Sequence, residues 1–306
     1  MRTRFSAPLC SVILVILALS GCQGGPEDAA AVPDTPDGTV QAVLDGLAQH
    51  RPEFVWRALP PSYQEDVHGL LASFAENMDP ALFERAVAVS RKGVMVLQSK
   101  KELVLATETV ASSGIDRESV DGLWESSIHF ADTFLASDLA RLDAYPTLDI
   151  DRFLQTSGAS MMEHAAGISI SDDDADTLAA RLTALENASV ELVSRDGDRA
   201  VVLVTTPDGK GTEVPMTRVE ERWLPDDVVA QWPEMIERTR ERIEFIGSED
   251  AAEMKVQTLF AIGLTEGFID QIGEMDVPED LDNLIGGILG NLVRQQSQTR
   301  DAAFQG

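Results

Sequence analysis

Residues 188–224, ASVELVSRDGDRAVVLVTTPDGKGTEVPMTRVEERWL, hold the strand-forming sequence of this chain and decide its fold class. Two Asp-Gly pairs interrupt the run, at Asp196-Gly197 and at Asp208-Gly209. Asp-Gly between apolar runs is a strong hairpin signal, because Gly accepts the positive φ that tight turns require. The stretch therefore predicts an antiparallel β-meander over about residues 188–224.

The apolar pattern of this stretch predicts which strand positions are buried. Val190 and Leu192 alternate with Glu191, as expected for a sheet with one buried face. Residues 200–204 are apolar on both faces, which is typical of a central strand. A meander this small is only marginally stable in water, so helices must cover its apolar face. We therefore predict a mostly helical α+β fold.

Apolar residues at helical spacing occur on both sides of the meander. Thr39 is the predicted cap of the first helix, and the body is predicted to span residues 39–228. A C-terminal helical extension, residues 229–306, contains a predicted helical hairpin of Ser248–Met275 and Pro278–Gln296. The other predicted helices share an apolar face and lie at about residues 54–59, 62–77, 80–97, 101–110, 117–137, 149–162 and 178–185.

The N-terminus resembles the signal sequence of bacterial lipoproteins. Arg2 and Arg4 precede an apolar run, Leu9–Leu19, that is too short to span a membrane. The run ends in Leu19-Ser20-Gly21-Cys22, and the resemblance implies cleavage after residue 21 and acylation of Cys22. The alternative is an ordinary secretory peptide cleaved nearby.

The lipoprotein resemblance also implies a location. Gln23 rather than Asp follows Cys22, which implies a periplasm-facing anchor in the outer membrane of the bacterial cell envelope. Several acyl chains on one residue are enough for stable anchoring. Residues 22–38 are rich in Gly, Pro, Ala and Asp and are predicted to be a flexible tether.

Net charge restricts the classes of partner. The 306-residue chain has a formal charge of −28, which argues against nucleic acid and against an anionic membrane surface as binding partners. The two cysteines are Cys10 and Cys22. Once the signal sequence is removed no disulfide can form, so the fold must depend on its core.

A second resemblance concerns the fold. The order of a first helix, the segment Phe54 to Tyr63 containing Trp56, further helices and a late meander ending at Trp223 is similar to the nuclear-transport-factor-2-like, or cystatin-like, α+β roll superfamily. The resemblance implies a short helical unit packed against a curved sheet. In this chain about a hundred residues of helix separate the two parts, and the superfamily includes both enzymes and binding modules.

The sequence does not indicate an active site, a cofactor or a metal centre. It contains no nucleophile elbow, phosphate-binding loop or dinucleotide fingerprint. Residues 172–176 begin like a calcium loop, but its sixth position is Thr177 and its twelfth is Thr183, so a helix N-terminus is favoured. No metal spacing joins the four histidines, which are His50, His68, His129 and His164.

Two functional hypotheses follow, and neither is enzymatic. The first is a lipid-anchored envelope protein that acts through protein contacts or structure, with a possible envelope protein as its partner. Small residues four apart, at Gly263 and Gly267 and again at Gly286 and Gly290, favour close helix packing within the chain, with dimerisation or an envelope partner as alternatives. The second hypothesis is a small apolar-ligand module whose pocket would be lined by Val190, Leu192, Val202 and Val214.

Overall fold

The computed structural model describes residues 31–112, 116–168, 177–284, 286 and 287. These residues form a mostly helical α+β fold with one four-stranded antiparallel sheet, as predicted. The helices are α1 Pro36–Ala48, α2 Glu53–Ala58, α3 Pro61–Asn77, α4 Pro80–Ser99, α5 Lys101–Leu105, α6 Glu108–Ala111, α7 Arg117–Ala136, α8 Ile150–Phe153, α9 Ala159–Ala166, α10 Leu178–Glu186, α11 Asp226–Gly247 and α12 Ala252–Glu274. A π-helical turn, Leu154–Gly158, joins α8 to α9, and residues 278–284 are also helical.

Helix α1 begins at Pro36, three residues before the predicted cap at Thr39. Thr35 is the cap instead, since its Oγ1 accepts a hydrogen bond from the Gly38 backbone N–H at 3.1 Å. Pro36 favours this start because its fixed φ suits the first helical position, where its missing N–H costs nothing. Val32 is already buried. Ordered structure therefore extends into the segment that the sequence predicted to be a tether.

The sheet is a meander with strand order β1-β2-β3-β4. Gly197 and Gly209 adopt the positive φ values predicted for the two hairpin turns, 58° and 78°. A register shift around Val193 makes a bulge in the first strand, which lies at one edge of the sheet. The strands are β1 Ser189–Asp196, β2 Arg199–Thr205, β3 Gly211–Val219 and β4 Arg222–Pro225.

Helix α1 covers one face of the sheet. Val40 of α1 packs against a buried cluster in which Val202, Met216 and Trp223 are almost completely inaccessible to solvent. On the opposite face Glu191 and Glu213 are exposed, as their alternation predicted. The sheet thus has one buried and one solvated face, the arrangement typical of antiparallel sheets.

The largest core cluster joins elements from distant parts of the chain. Trp232 of α11 stacks on Tyr63 of α3, with ring centroids 4.2 Å apart, and donates a hydrogen bond from Nε1 to Asp66 Oδ2 at 2.9 Å. The predicted boundary between body and extension, at residues 228 and 229, lies inside α11. The buried members of this cluster are Trp56, Leu59, Leu148, Ile150, Phe153, Leu154, Leu224, Trp232 and Ile236.

Helix α12 lies beside α4 and runs in the same direction. Near one end Lys255 is paired with Asp79, and at the other Lys100 Nζ donates to the Met275 carbonyl at 2.6 Å. Of the predicted second arm of the hairpin, residues 278–284 are helical and Asp282 binds the start of α6. Ile285 and residues 288–296 of that arm lie outside the described residues.

Candidate protein-binding surface

One row of large apolar side chains on α12 is exposed to solvent. The row consists of Val256, Phe260, Leu264 and Phe268, and we call it the α12 ridge. Phe260 is 68% exposed and Val256 is 66% exposed, the two highest values among the large apolar side chains of the described residues. The four residues recur every fourth position, so they form one continuous row along the helix surface.

The opposite face of α12 fixes the direction in which the ridge points. Ile269 reaches within 3.3 Å of the position that a Cβ would occupy at Gly93 of α4. Lys92 of α4 forms salt bridges with Asp270 at 2.5 Å and with Glu266 at 3.6 Å. Because these contacts hold the inner face of α12 against α4, the ridge faces away from α4.

The ridge lies in a band without charged side chains. Between Val256 and Gln271 the exposed positions that share the ridge face carry apolar residues, glutamine or glycine. Thr258, Thr265 and Asp270 are also exposed but flank this face, and Asp270 is paired with Lys92. The carboxylates on the ridge face are Glu253 and Glu274, near its two ends. At a rise of 1.5 Å per residue the band is about 24 Å long. A quarter of the residues in the chain are charged, so an uncharged band of this length is unusual for its surface.

Gly267 makes a shallow depression in this band, toward its C-terminal end. It lies two helical turns after Phe260 and three residues after Leu264, so it shares their face. A Cβ added at Gly267 would meet no atom within 4 Å. The space over Gly267 is therefore open to a partner, and the helix backbone can be approached closely there.

The four residues predicted to line a ligand pocket are placed differently from one another. Val190, Val202 and Val214 belong to the cluster beneath α1, where Val202 has no exposed surface. Leu192 is paired with Val202 and shares its face of the sheet, but it is 45% exposed on the edge strand and is not part of the cluster. Val40 packs against the cluster, and the region behind the meander is thus occupied by side chains of the protein itself.

A charged cluster on α2, which the sequence did not indicate, pairs within the chain. Glu53 is buried and accepts a hydrogen bond from Arg51 Nε at 3.0 Å. Arg57 forms a two-point salt bridge with Asp151 of α8. Both guanidinium groups lie near the Phe54 ring, with Cζ 4.7 and 5.9 Å from its centroid. Of these contacts, the Arg57–Asp151 salt bridge joins α2 to a neighbouring helix.

Two of the four histidines, which are far apart in the sequence, are neighbours in the fold. His129 of α7 and His164 of α9 have ring centroids 5.3 Å apart, and Ser160 Oγ lies 3.4 Å from His164 Nε2. His68 instead contacts the Trp56 ring edge-on at 5.6 Å. Within the described residues no group of three or more His, Cys, Asp and Glu side chains is arranged to hold a metal ion.

Two sequence-predicted features cannot be placed. Cys22, the predicted lipid attachment site, lies outside the described residues, and so does the acidic stretch containing Asp172, Asp174 and Asp176. None of the helices in the described ranges is both long enough and apolar enough to cross a membrane.

No family model, no curated protein and no solved structure matches the chain.

Proposed function

We propose that this protein is a lipid-anchored component of the bacterial cell envelope and that it acts by binding another protein through the α12 ridge. The observation that carries the proposal is the exposure of the ridge. Of the eleven exposed large apolar side chains in the described residues, five lie on α12, namely Met254 and the four ridge residues. Exposed apolar patches with a polar border mark interaction sites in soluble proteins.

Binding at the ridge is favoured energetically because its apolar side chains are in contact with water until a partner covers them. Removing apolar surface from water stabilises a protein by about 25 cal/mol per Å². Phe260 and Val256 are mostly exposed, and burying an apolar side chain of this size is worth about 1.5–3 kcal/mol. A partner that covers the ridge gains this stabilisation without separating any charged group from its own partner.

The N-terminal sequence supports the location. Acylated Cys22 would hold the protein at the membrane, and Gln23 favours the periplasmic side of the outer membrane. The segment between Cys22 and Val32 would separate the anchor from the folded body. A relation to the nuclear-transport-factor-2-like rolls is part of this proposal and is supported by the order of helices and meander.

A non-enzymatic role is supported by the way the buried charges are used. Arg57 pairs with Asp151 and so connects α2 to α8, and the buried Glu53 carboxylate pairs with Arg51, two residues before it. Small-ligand binding, the alternative suggested by the sequence, has less support from the geometry, because Val40 packs against the face where such a ligand would lie.

Cysteine labelling in intact cells tests whether the ridge is covered. The native cysteines are Cys10 and Cys22, so after processing and acylation an introduced cysteine is the one free thiol. We expect a cysteine beside the ridge, at the exposed Gln257→Cys, and the exposed strand control Glu213→Cys to react with a maleimide at similar rates in purified protein. In intact envelopes the Gln257→Cys reaction should be at least about tenfold slower, because a bound partner excludes the reagent. Equal rates in intact envelopes would refute the proposed function.

A separate experiment tests the anchor. Cells that express the chain are given an alkyne-labelled fatty acid, and the protein is examined for label and for membrane association. We expect both in the native chain and neither in Cys22→Ala. Processing to a soluble, unlabelled native protein would instead indicate an ordinary secretory peptide.

A further inference from the structure

We propose that the partner of the α12 ridge is an amphipathic helix whose apolar face is bordered by basic residues. This inference rests on the proposed function, because it assumes that the ridge is the binding surface. It adds the chemical class of the partner.

The shape of the ridge favours a helix as its partner. Side chains that recur every four residues form a row that fits the groove between the side-chain rows of a second helix. Val256, Phe260, Leu264 and Phe268 are such a row, and Gly267 leaves an opening beside it. A helical partner with apolar residues at i, i+3 or i+4 and i+7 would bury the whole row.

The charge around the ridge favours a basic border on that helix. Residues 249–287 contain ten Asp and Glu residues and a single Lys, Lys255, which is already paired with Asp79. Acidic residues are exposed beyond both ends of the ridge. Six of these acidic residues form no salt bridge with any of the described residues: Glu249, Asp250, Glu253, Glu274, Glu279 and Asp280. A basic border would be attracted to both ends, whereas an acidic border would be repelled.

A second copy of this chain suits the surface less well. Each copy has a formal charge of −28, and the acidic groups beyond the ridge would face those of the other copy. The uncharged band is about 24 Å long and about 10 Å wide, which is roughly 240 Å² in projection. A stable dimer needs about 800 Å² from each partner. The band is therefore better matched to a single docked helix.

Two synthetic helical peptides provide the binding test. They share an apolar face with leucine at i, i+3, i+4 and i+7; one has Lys and Arg beside this face, and the other has Glu. Each is labelled with a dye and titrated with the mature full-length chain carrying Cys22→Ala, and binding is measured by fluorescence anisotropy. We expect the basic peptide to bind at least about tenfold more tightly at 50 mM salt, and the difference to shrink at 500 mM salt because salt screens exposed charges.

A glycine substitution separates docking by helix packing from general hydrophobic association. Gly267→Leu adds apolar surface to the ridge, and its Cβ would lie in open space with no neighbouring atom within 4 Å, so the fold should remain intact. The added side chain fills the space into which a partner helix would pack. We expect Gly267→Leu to weaken binding of the basic peptide by at least about tenfold. The matched control is Gly122→Leu on α7, where a Cβ also meets nothing within 4 Å, and binding should be unchanged.

Other occupants of the ridge give different results, and each would overturn the inference. A second copy would appear as a dimer in light scattering that Gly267→Leu dissociates. A lipid surface would appear as binding to phosphatidylcholine vesicles that Gly267→Leu does not weaken. Equal affinity for the two peptides, or none for either, would also refute a basic partner. If Gln257→Cys stays protected in envelopes in these cases, the proposed function stands and only the inference on the partner fails.

Discussion

Arg57 and Asp151 form a two-point salt bridge between α2 and α8, with Nε to Oδ1 at 2.7 Å and Nη2 to Oδ2 at 3.1 Å. The guanidinium matches both carboxylate oxygens, whereas an ammonium group bonds as a point charge. The Arg57 side chain is 14% exposed, so water replaces the lost bond only in part. We expect Arg57→Lys to lower the free energy of unfolding by about 1–2 kcal/mol, measured by urea denaturation.

The control for this substitution is an exposed arginine. Arg141 bonds to Asp138 and Asp143 at the surface, and salt bridges of this kind contribute little. Arg141→Lys should change the free energy of unfolding by less than about 0.5 kcal/mol. Equal losses in the two variants would show that the two-point geometry of Arg57 is not what stabilises the protein.

Gly46 of α1 is a second test site, because the packing there decides whether a substitution raises or lowers the stability. A Cβ at this position would lie 2.8 Å from Cβ and Cγ of Phe54, a buried residue. Alanine favours helix over glycine by about 1 kcal/mol, but forcing an atom into a packed core costs about 1–3 kcal/mol. Because the contact atoms lie close to the Phe54 backbone, we expect Gly46→Ala to lower the melting temperature.

Gly69 of α3 supplies the opposite case. It is also a helical glycine, but a Cβ there would meet no atom within 4 Å. We expect Gly69→Ala to raise the free energy of unfolding by about 0.5–1 kcal/mol through helix propensity alone. If both alanine variants were stabilised, the close approach of Gly46 to Phe54 would not exist in solution.

The sheet could be predicted from the sequence because its signals are local. The Asp-Gly turns and the two-residue period lie within the strands that they define, and both hairpins form where these signals occur. The degree of burial of Leu192 could not be predicted from these local signals. It shares the alternation of Val190, but it lies on an edge strand just before the bulge at Val193, and burial there depends on which distant helix covers the strand.

The exposure of the α12 ridge could not be predicted from the sequence either. The apolar residues of α12 were identified from their helical spacing, but spacing cannot say which of them face a neighbour and which face solvent. That choice depends on the packing of α12 against α4, more than a hundred residues earlier, through contacts such as Lys92 with Asp270. The pairing of His129 with His164 is hidden for the same reason, because α7 and α9 meet only in the folded chain.

The sheet itself supplies a prediction on burial. Val202 has no exposed surface and touches side chains from α1 and from β3, whereas Leu192 is 45% exposed on the same sheet. Removing buried methyl groups leaves a cavity as well as losing transfer free energy. We expect Val202→Ala to lower the free energy of unfolding by about 2 kcal/mol and Leu192→Ala to lower it by less than about 1 kcal/mol, as measured by chemical denaturation. A larger loss at Leu192 would mean that the edge strand is covered in solution.

The turn between β2 and β3 contains a carboxylate whose contribution to stability should depend on pH. The Asp208 carboxylate bonds to Lys210 Nζ at 2.6 Å and accepts a hydrogen bond from Thr206 Oγ1 at 2.6 Å. These bonds, with a weaker one from the Lys210 backbone N–H, lower the pKa of Asp208 from its usual 3.8 to about 2. A carboxyl group whose pKa is lowered by folding stabilises the folded state at pH values above its usual pKa. This contribution to stability is lost as the pH falls toward the pKa that the group has in the folded state.

A carboxyl-carbon NMR titration checks this value directly. In the native protein the Asp208 signal should titrate with a midpoint near pH 2. In Lys210→Met the midpoint should rise toward 3.8, because the side-chain bond to Lys210 is the largest cause of the shift. The difference in stability between the native protein and Asp208→Asn should then be constant above about pH 4 and should fade between pH 4 and 2. A native midpoint near 3.8 would mean that Lys210 does not hold the carboxylate in solution, and the turn would then depend on Gly209 and its positive φ.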